Sequence, residues 1–181
     1  NDGIGLIPFK KKGFKNILGY EPSIKLCKES RKLGIKTINK FFDKKNTKAL
    51  RNKADLVLAS NVFAHNDNLE EMLECIKKSL KFNGTLVIEI QYLINTIKDV
   101  SFDNIYHEHV NYWSLTSIKN FFNRFNCRIF RVEKLDTHGG SLRIYASKNK
   151  KNKIDNSVNS ILKSEIKFGI KNEKTYENYQ K

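Results

Sequence analysis

Apolar positions recur along this chain in two rhythms, and the switching between them predicts an α/β protein. Short apolar runs closed by polar or glycine residues read as strands, and longer stretches with apolar residues three and four apart read as helices. Gly5–Lys12 reads as a short helix or turn and Asn16–Tyr20 as a strand. Pro22–Leu33 reads as a helix, with Pro22 and Ser23 at its entry and Gly34 just past its end. Lys36–Phe41 follows as a short strand and Asp43–Asn52 as a polar helix. Ala54–Ser60 is the clearest candidate for a buried parallel strand. Over Asn68–Leu80 the apolar residues Leu69, Met72, Leu73, Ile76 and Leu80 sit at helical spacing, and Asn83-Gly84 then turns into a strand over Thr85–Glu89. Strand and helix alternating in this way predict a parallel, doubly wound sheet.

The pattern changes after Glu89. Ile90–Trp113 is irregular, and Ser114 is a candidate N-cap for a helix running to about Phe125. Arg128–Lys134 and Leu142–Ser147 read as a closing pair of strands joined through Thr137-His138-Gly139-Gly140. Lys148–Lys153 reads as a solvated basic linker, and Ile154–Lys181 is weakly amphipathic, with nothing visible for it to pack against. No internal repeat is present. A doubly wound domain opens with a buried strand, whereas this chain opens with the turn that would follow one. The expectation is therefore a fragment of a longer chain, cut at both ends.

Bulk properties narrow the functional classes. With 181 residues the chain can hold one sizeable core, or one domain and part of another. No apolar run approaches the roughly 18–20 residues of a membrane span, and Asn1-Asp2-Gly3 has neither the basic nor the apolar region of a signal peptide. Cys27, Cys75 and Cys127 are isolated, without CxxC spacing, so they read as small buried residues in a reducing cytoplasm rather than as disulfide or metal ligands. The net charge of +15 comes from 28 lysines and only six arginines. Lysines spread over every helix and linker read as solvated surface; nucleic-acid recognition would favour arginine. A positive field of this kind also suits a phosphorylated substrate.

The densest chemistry is Tyr106-His107-Glu108-His109, flanked by Asn104, Asn111, Tyr112 and Trp113. Histidine titrates nearest neutral pH, which makes it the default proton carrier. The chain has only four histidines, His65, His107, His109 and His138, and none lies in a lysine-rich helix. Asn1-Asp2-Gly3 places a glycine turn where a first strand would end, on the edge at which open α/β sheets bind ligands; a plain turn explains it equally. Glu21 ends the second expected strand about twenty residues later, where an acid can accept from both ribose hydroxyls of an adenosine cofactor, or alternatively favour a helix N-terminus. Asn61-Val62-Phe63-Ala64-His65 leaves the strongest strand on the same rim, with Asp67 or Asn68 as a helix cap, and Glu89 and Gln91 end the next strand there. The paired Gly139-Gly140 allows close backbone approach to a ligand or a simple hairpin turn.

With these residues gathered, the chain resembles the S-adenosylmethionine-dependent C-methyltransferases that act on nucleotide-linked keto-deoxysugars. The resemblance runs from Asn1 to about Ser147. It rests on Asn1-Asp2-Gly3, Glu21-Pro22-Ser23, Asn61-Val62-Phe63-Ala64-His65, Tyr106-His107-Glu108-His109 and His138-Gly139-Gly140-Ser141-Leu142-Arg143. It implies a Rossmann-like class I methyltransferase sheet over residues 1–113, lacking its first strand, and over 114–181 the start of a C-terminal α/β substrate domain. A zinc-binding module with four cysteines would precede both, and zinc is expected only there.

The resemblance also implies roles. His109 would be the base that forms an enolate next to the sugar's keto group, with Glu108 and Tyr106 orienting it or supporting the enolate charge, and His65 across the site. Asp2, Gly3, Glu21 and Asn61 would hold S-adenosylmethionine, and His138, Gly140, Ser141 and Arg143 the nucleotide sugar. Neither nucleic acid nor a membrane is expected as a partner. The alternatives are an O- or N-methyltransferase acting on another small metabolite, which needs no enolising base, and a basic module that binds nucleic acid or another anion.

Overall fold

The computed structural model describes residues 1–180, which fold as two compact units, Asn1–Ala49 and Leu50–Lys181. The sheet-forming segments of both units alternate with helices, as the periodicity predicts.

The first unit is built on one strand–helix–strand repeat. β1 (Gly19–Tyr20) pairs in parallel with β2 (Thr37–Ile38). Ahead of β1 lie a 3-10 turn over Ile4–Leu6 and the helix α1 (Ile7–Lys11). Between the strands runs α2 (Ile24–Lys32), capped by the Ser23 hydroxyl, which accepts from Leu26 N. The buried face of α2 is partly polar. Ser30 Oγ lies 2.7 Å from Thr37 Oγ1, and Arg31 donates from Nε and a terminal nitrogen to the Thr37 carbonyl. The strands expected over Asn16–Tyr20 and Lys36–Phe41 thus contract to two residues each. The helix expected over Asp43–Asn52 shortens to a single 3-10 turn at Lys48–Leu50. Asp43 explains the loss: its carboxylate accepts from the backbone and side-chain nitrogens of Asn46, and its carbonyl accepts from Thr47 Oγ1 at 2.6 Å. Such local bonds offer the backbone an alternative to a helical ladder.

The second unit carries a four-stranded mixed sheet. β3 (Ala54–Ser60) is parallel to β4 (Leu80–Gln91), and α3 (Leu69–Ser79) connects them. After β4 come α4 (Leu93–Lys98) and α5 (Leu115–Arg124), then β5 (Arg128–Leu135) and β6 (Ser141–Ser147). The strand order is β3-β4-β6-β5, so the last strand inserts antiparallel between two strands that run the other way. This is a Rossmann-like α/β sheet closed by an antiparallel hairpin. Two expectations are corrected. β3 is an outer strand of this sheet, with Leu56 38% exposed, rather than a strand buried on both faces. Asn83-Gly84 forms no turn: Ala54 faces Leu80 while Leu56 already faces Thr85, so β4 absorbs the extra residues as a bulge and continues.

The core lies between the sheet and its helices. Leu86, Ile88, Ile90, Leu142 and Ile144 meet Leu73 and Ile76 of α3 and Leu115, Ile118 and Phe122 of α5, all essentially inaccessible. Fully burying such a side chain contributes about 1.5–3 kcal/mol. Cys27, Cys75 and Cys127 are buried, and burial pushes the Cys127 thiol up to about 11. Asn68 caps α3 and Ser114 caps α5, the latter in a reciprocal box with Ser117. The last segment has a packing partner after all. α6 (Asn156–Phe168) lies on β5 and α5 and buries Val158, Ile161 and Glu165; α7 (Glu173–Gln180) follows it. Among the described residues no helix is long and apolar enough to cross a membrane.

Candidate active site

Two segments of the second unit meet at the carboxyl ends of β3 and β4. After β3 the backbone turns through Asn61, whose φ is 53° and whose N–H donates to the Glu89 carbonyl at 2.9 Å. It then enters a 3-10 turn, Phe63–His65. Phe63 is fully buried and packs 6.0 Å from Phe122, which anchors the turn and leaves His65 exposed. After β4, α4 leads to Val100, a β-branched residue held at φ 50°, and into the loop that carries the histidines. Both Val110 N and Asn111 N donate to the Ala64 carbonyl, at 3.0 and 3.3 Å, and tie the loop to the first turn.

The histidines expected from sequence converge here. The His65 and His109 rings lie 4.7 Å apart between centroids, and Tyr106 stands 4.2 Å from His109. His109 Nδ1 is 3.1 Å from the Asn104 carbonyl, and His65 Nδ1 is 2.9 Å from the Glu108 carbonyl. A carbonyl can only accept, so each Nδ1 carries a hydrogen and each neutral ring has its lone pair on Nε2. The Tyr106 hydroxyl lies 2.8 Å from His109 Nε2 and is therefore the donor. Asn104 and Tyr112 also belong to this web, since the Tyr112 hydroxyl donates to the Asn104 carbonyl at 3.1 Å. Glu108 joins it differently from expectation. Its carbonyl, not its carboxylate, meets His65; the carboxylate is 68% exposed and faces the exposed His107 at 4.0 Å. Sequence reasoning found the histidines but missed the anchor, because Asn104 acts through its main chain.

In the first unit the Asp2-Gly3 turn and Glu21 come together at the end of β1. Gly3 has φ 89°, and a Cβ there would strike Ser30 Oγ at 2.5 Å, so the turn packs directly on α2. Asp2 Oδ1 accepts from Ile4 N. Glu21 is 8% exposed; its Oε1 accepts from Ser23 N at 2.7 Å and its Oε2 meets the Asn1 ammonium. Glu21 thus bonds the backbone of Ser23, the residue that caps α2.

The Gly139–Arg143 corner is satisfied from within. Gly140 has φ 101°, and the group close to it is Asn95, whose Nδ2 would lie 1.9 Å from an added Cβ. The Ser141 hydroxyl is buried and donates to the Thr137 carbonyl at 3.0 Å. Arg143 donates from Nε to Glu89 Oε1 at 2.7 Å and also faces Glu133; the Glu89 bond is the main reason its guanidinium is held above the usual arginine range. Among these four residues His138 alone presents an exposed side chain, at φ 54°. Two buried groups had no sequence signal. Glu165 is fully inaccessible and accepts from Leu115 N and Thr116 N, the first amides of α5. Tyr92, beside it, has its phenol pushed well up by burial and by that carboxylate. Among the described residues no group of three His, Cys, Asp or Glu side chains could hold a metal ion.

The comparisons with known proteins agree with this architecture. A family model described as a methyltransferase domain matches residues 1–132, and one described as a C-methyltransferase C-terminal domain matches residues 136–181. The first match ends inside β5 and the second begins just past it. The C-methyltransferase NovU of Streptomyces niveus is 30% identical over 150 residues, which is 81% of this chain and 36% of NovU. The chain therefore spans about a third of that relative's length. Among solved structures, a SAM-dependent methyltransferase of Thermotoga maritima superposes with a TM-score of 0.66 at 16% identity, covering 82% of this chain and 78% of that one. One from Archaeoglobus fulgidus gives 0.64 at 16% identity, covering 81% of each. Both show the fold alone. With a methyltransferase-domain model matching well over half of its residues, the chain belongs to the methyltransferase-domain family.

Proposed function

We propose that the chain is the core of an S-adenosylmethionine-dependent C-methyltransferase that acts on a carbon next to the keto group of a nucleotide-linked deoxysugar. The observation that carries this reading is the environment of His109. Its Nδ1–H is bound by the Asn104 carbonyl and its Nε2 lone pair faces the Tyr106 hydroxyl, so one nitrogen is left to take a proton. Transfer to carbon needs such a base, because only loss of the α-proton makes the carbon nucleophilic; transfer to oxygen or nitrogen does not. The likeness to a C-methyltransferase at both levels, relative and C-terminal family model, supports the same class.

The steps follow from the hydrogen bonds. As the ketone enolises, the C–H electron pair becomes the C=C bond, the carbonyl π pair moves onto oxygen, and the proton goes to His109 Nε2. The Tyr106 O–H, released from that nitrogen, turns to the enolate oxygen, where it offsets the developing charge. Both N–H groups of the imidazolium then need acceptors, and Asn104 already supplies one. His65, held beside His109 by the Glu108 carbonyl at its Nδ1, borders the same space. S-adenosylmethionine supplies an electrophilic methyl group when bound. The first unit fits that cofactor: Gly3 gives a tight turn without a side chain, and Glu21 offers the unused lone pairs of a buried carboxylate to ribose hydroxyls. Asp2 is the further candidate contact in this unit. The hairpin from His138 to Arg143 contributes to the sugar side through His138, its other groups holding the corner together.

Two measurements test the reading. Calorimetry with S-adenosylhomocysteine on the full-length protein should show binding that Glu21→Ala weakens; unchanged affinity removes Glu21 from the ribose. Incubation with a nucleoside-diphosphate 4-keto-deoxysugar in D2O should show exchange of the α-proton without any cofactor. Methyl transfer without exchange would assign the protein to oxygen or nitrogen methylation instead.

A further inference from the structure

We propose that Tyr112 is a positioning residue for His109, acting through the carbonyl oxygen of Asn104. The proposal rests on His109 as the base, and its test separates the two.

The Asn104 carbonyl accepts twice, from His109 Nδ1–H and from the Tyr112 hydroxyl, both at 3.1 Å. A carbonyl oxygen has two lone-pair sites, so these two donors fill it. Tyr112 also packs against the imidazole, ring centroids 6.0 Å apart and planes at 85°. One phenol thus holds both the ring and the ring's anchor.

Asn104 closes a single 3-10 turn, Phe102–Asn104, held by its own backbone bonds and by the stacking of Phe102 on Tyr179 at 4.6 Å, and the Tyr112 hydroxyl is bonded to the Asn104 carbonyl itself. Tyr112 sits between fixed points. Its neighbour Asn111 is bonded through N–H to Ala64 and through Nδ2 to the Asn66 carbonyl, and Trp113 accepts from Leu93 N at 3.0 Å. Tyr112 therefore ties the Asn104 carbonyl to a second, independently fixed stretch of loop. The consequence is chemical as well as mechanical. A carbonyl kept in place requires the Nδ1–H tautomer, which puts the basic lone pair on Nε2, beside Tyr106. If the carbonyl drifts, Nε2–H becomes competitive, and that form has no lone pair where the proton must arrive.

The experiment is Tyr112→Phe in the full-length protein, which keeps the ring and removes the hydroxyl. Nitrogen-15 spectra of the histidine rings report the tautomer directly. The wild type should show His109 as Nδ1–H, and the variant a mixture that includes Nε2–H. Deuterium exchange into a nucleoside-diphosphate 4-keto-deoxysugar should slow about three- to tenfold, the worth of one hydrogen bond, with KM unchanged. Tyr112→Ala should go further in the same direction. An unaltered His109 tautomer in Tyr112→Phe overturns the proposal, and so does an altered tautomer with an unaltered exchange rate. His109→Ala is the separate control: if exchange survives it, the base assignment fails, while the tautomer spectra still decide whether Tyr112 positions the ring.

Discussion

The histidine loop and the Gly139–Arg143 corner attract attention in the sequence for the same reason: each places histidine beside small or polar residues at the end of a strand. Folded, they differ in where their hydrogen bonds end. In the corner, Ser141 bonds Thr137, Gly140 makes room for Asn95, and Arg143 is taken up by Glu89 and Glu133. Little donor or acceptor capacity is left over for a ligand. Around the loop, main-chain carbonyls fix Nδ1 of His65 and of His109, and the Nε2 lone pair of His109 faces a phenol that can turn away from it. A polar residue at a strand end is therefore only a candidate. What distinguishes a reactive group is a fixed orientation with valence to spare, and the partners that fix it are ones a sequence does not display.

The sharpest test of this contrast is His109→Ala, expected to slow α-proton exchange by about 10²–10⁴-fold with the circular dichroism spectrum unchanged. A smaller loss would move His109 into the company of the corner residues. Next comes Gly140→Ala. It forces a side chain into left-handed backbone against Asn95, and should cost about 1–3 kcal/mol of stability in denaturant titration, partly recovered by adding Asn95→Ala. Full stability would mean that the corner is looser than its contacts imply. Ser141→Ala should cost about 1 kcal/mol of stability and leave KM for the sugar nucleotide alone. A raised KM at unchanged stability would return Ser141 to the substrate. The smallest effect is expected from Glu108→Gln, because the carboxylate is solvated: exchange should change by no more than a few-fold. A loss approaching that of His109→Ala would show that the carboxylate, and not only the carbonyl, serves the base.

Legibility varied with the range of the interaction. Helices α2, α3 and α5 were readable because their N-caps, Ser23, Asn68 and Ser114, lie next to the segments they begin. The helix over Asp43–Asn52 was misjudged because polar residues that suit a helix surface also satisfy backbone groups in turns, as Asp43 does. Asn83-Gly84 carries a turn signal that β4 converts into a bulge, since its pairing with β3 resumes beyond it. The C-terminal stretch had no visible partner because its partners, β5 and α5, precede it by about twenty residues or more and show no complementary pattern. Among site residues, His65 and His109 were identifiable by type, whereas Asn104 and Glu165 were not: one works through a backbone oxygen, the other caps a helix from fifty residues away.

The amino-acid sequence by itself determined the α/β class, the main helices and strands, the burial of the cysteines and the residue types able to move a proton. Those properties depend on periodicity, local capping and intrinsic chemistry, all written within a few neighbouring positions. Only the tertiary structure decided that β6 inserts between β4 and β5, that His65 comes to lie against His109 across forty-four positions of chain, and that a carbonyl holds each ring by Nδ1. The direction of a hydrogen bond and the meeting of distant loops are set by how the whole core packs, and no local pattern encodes them.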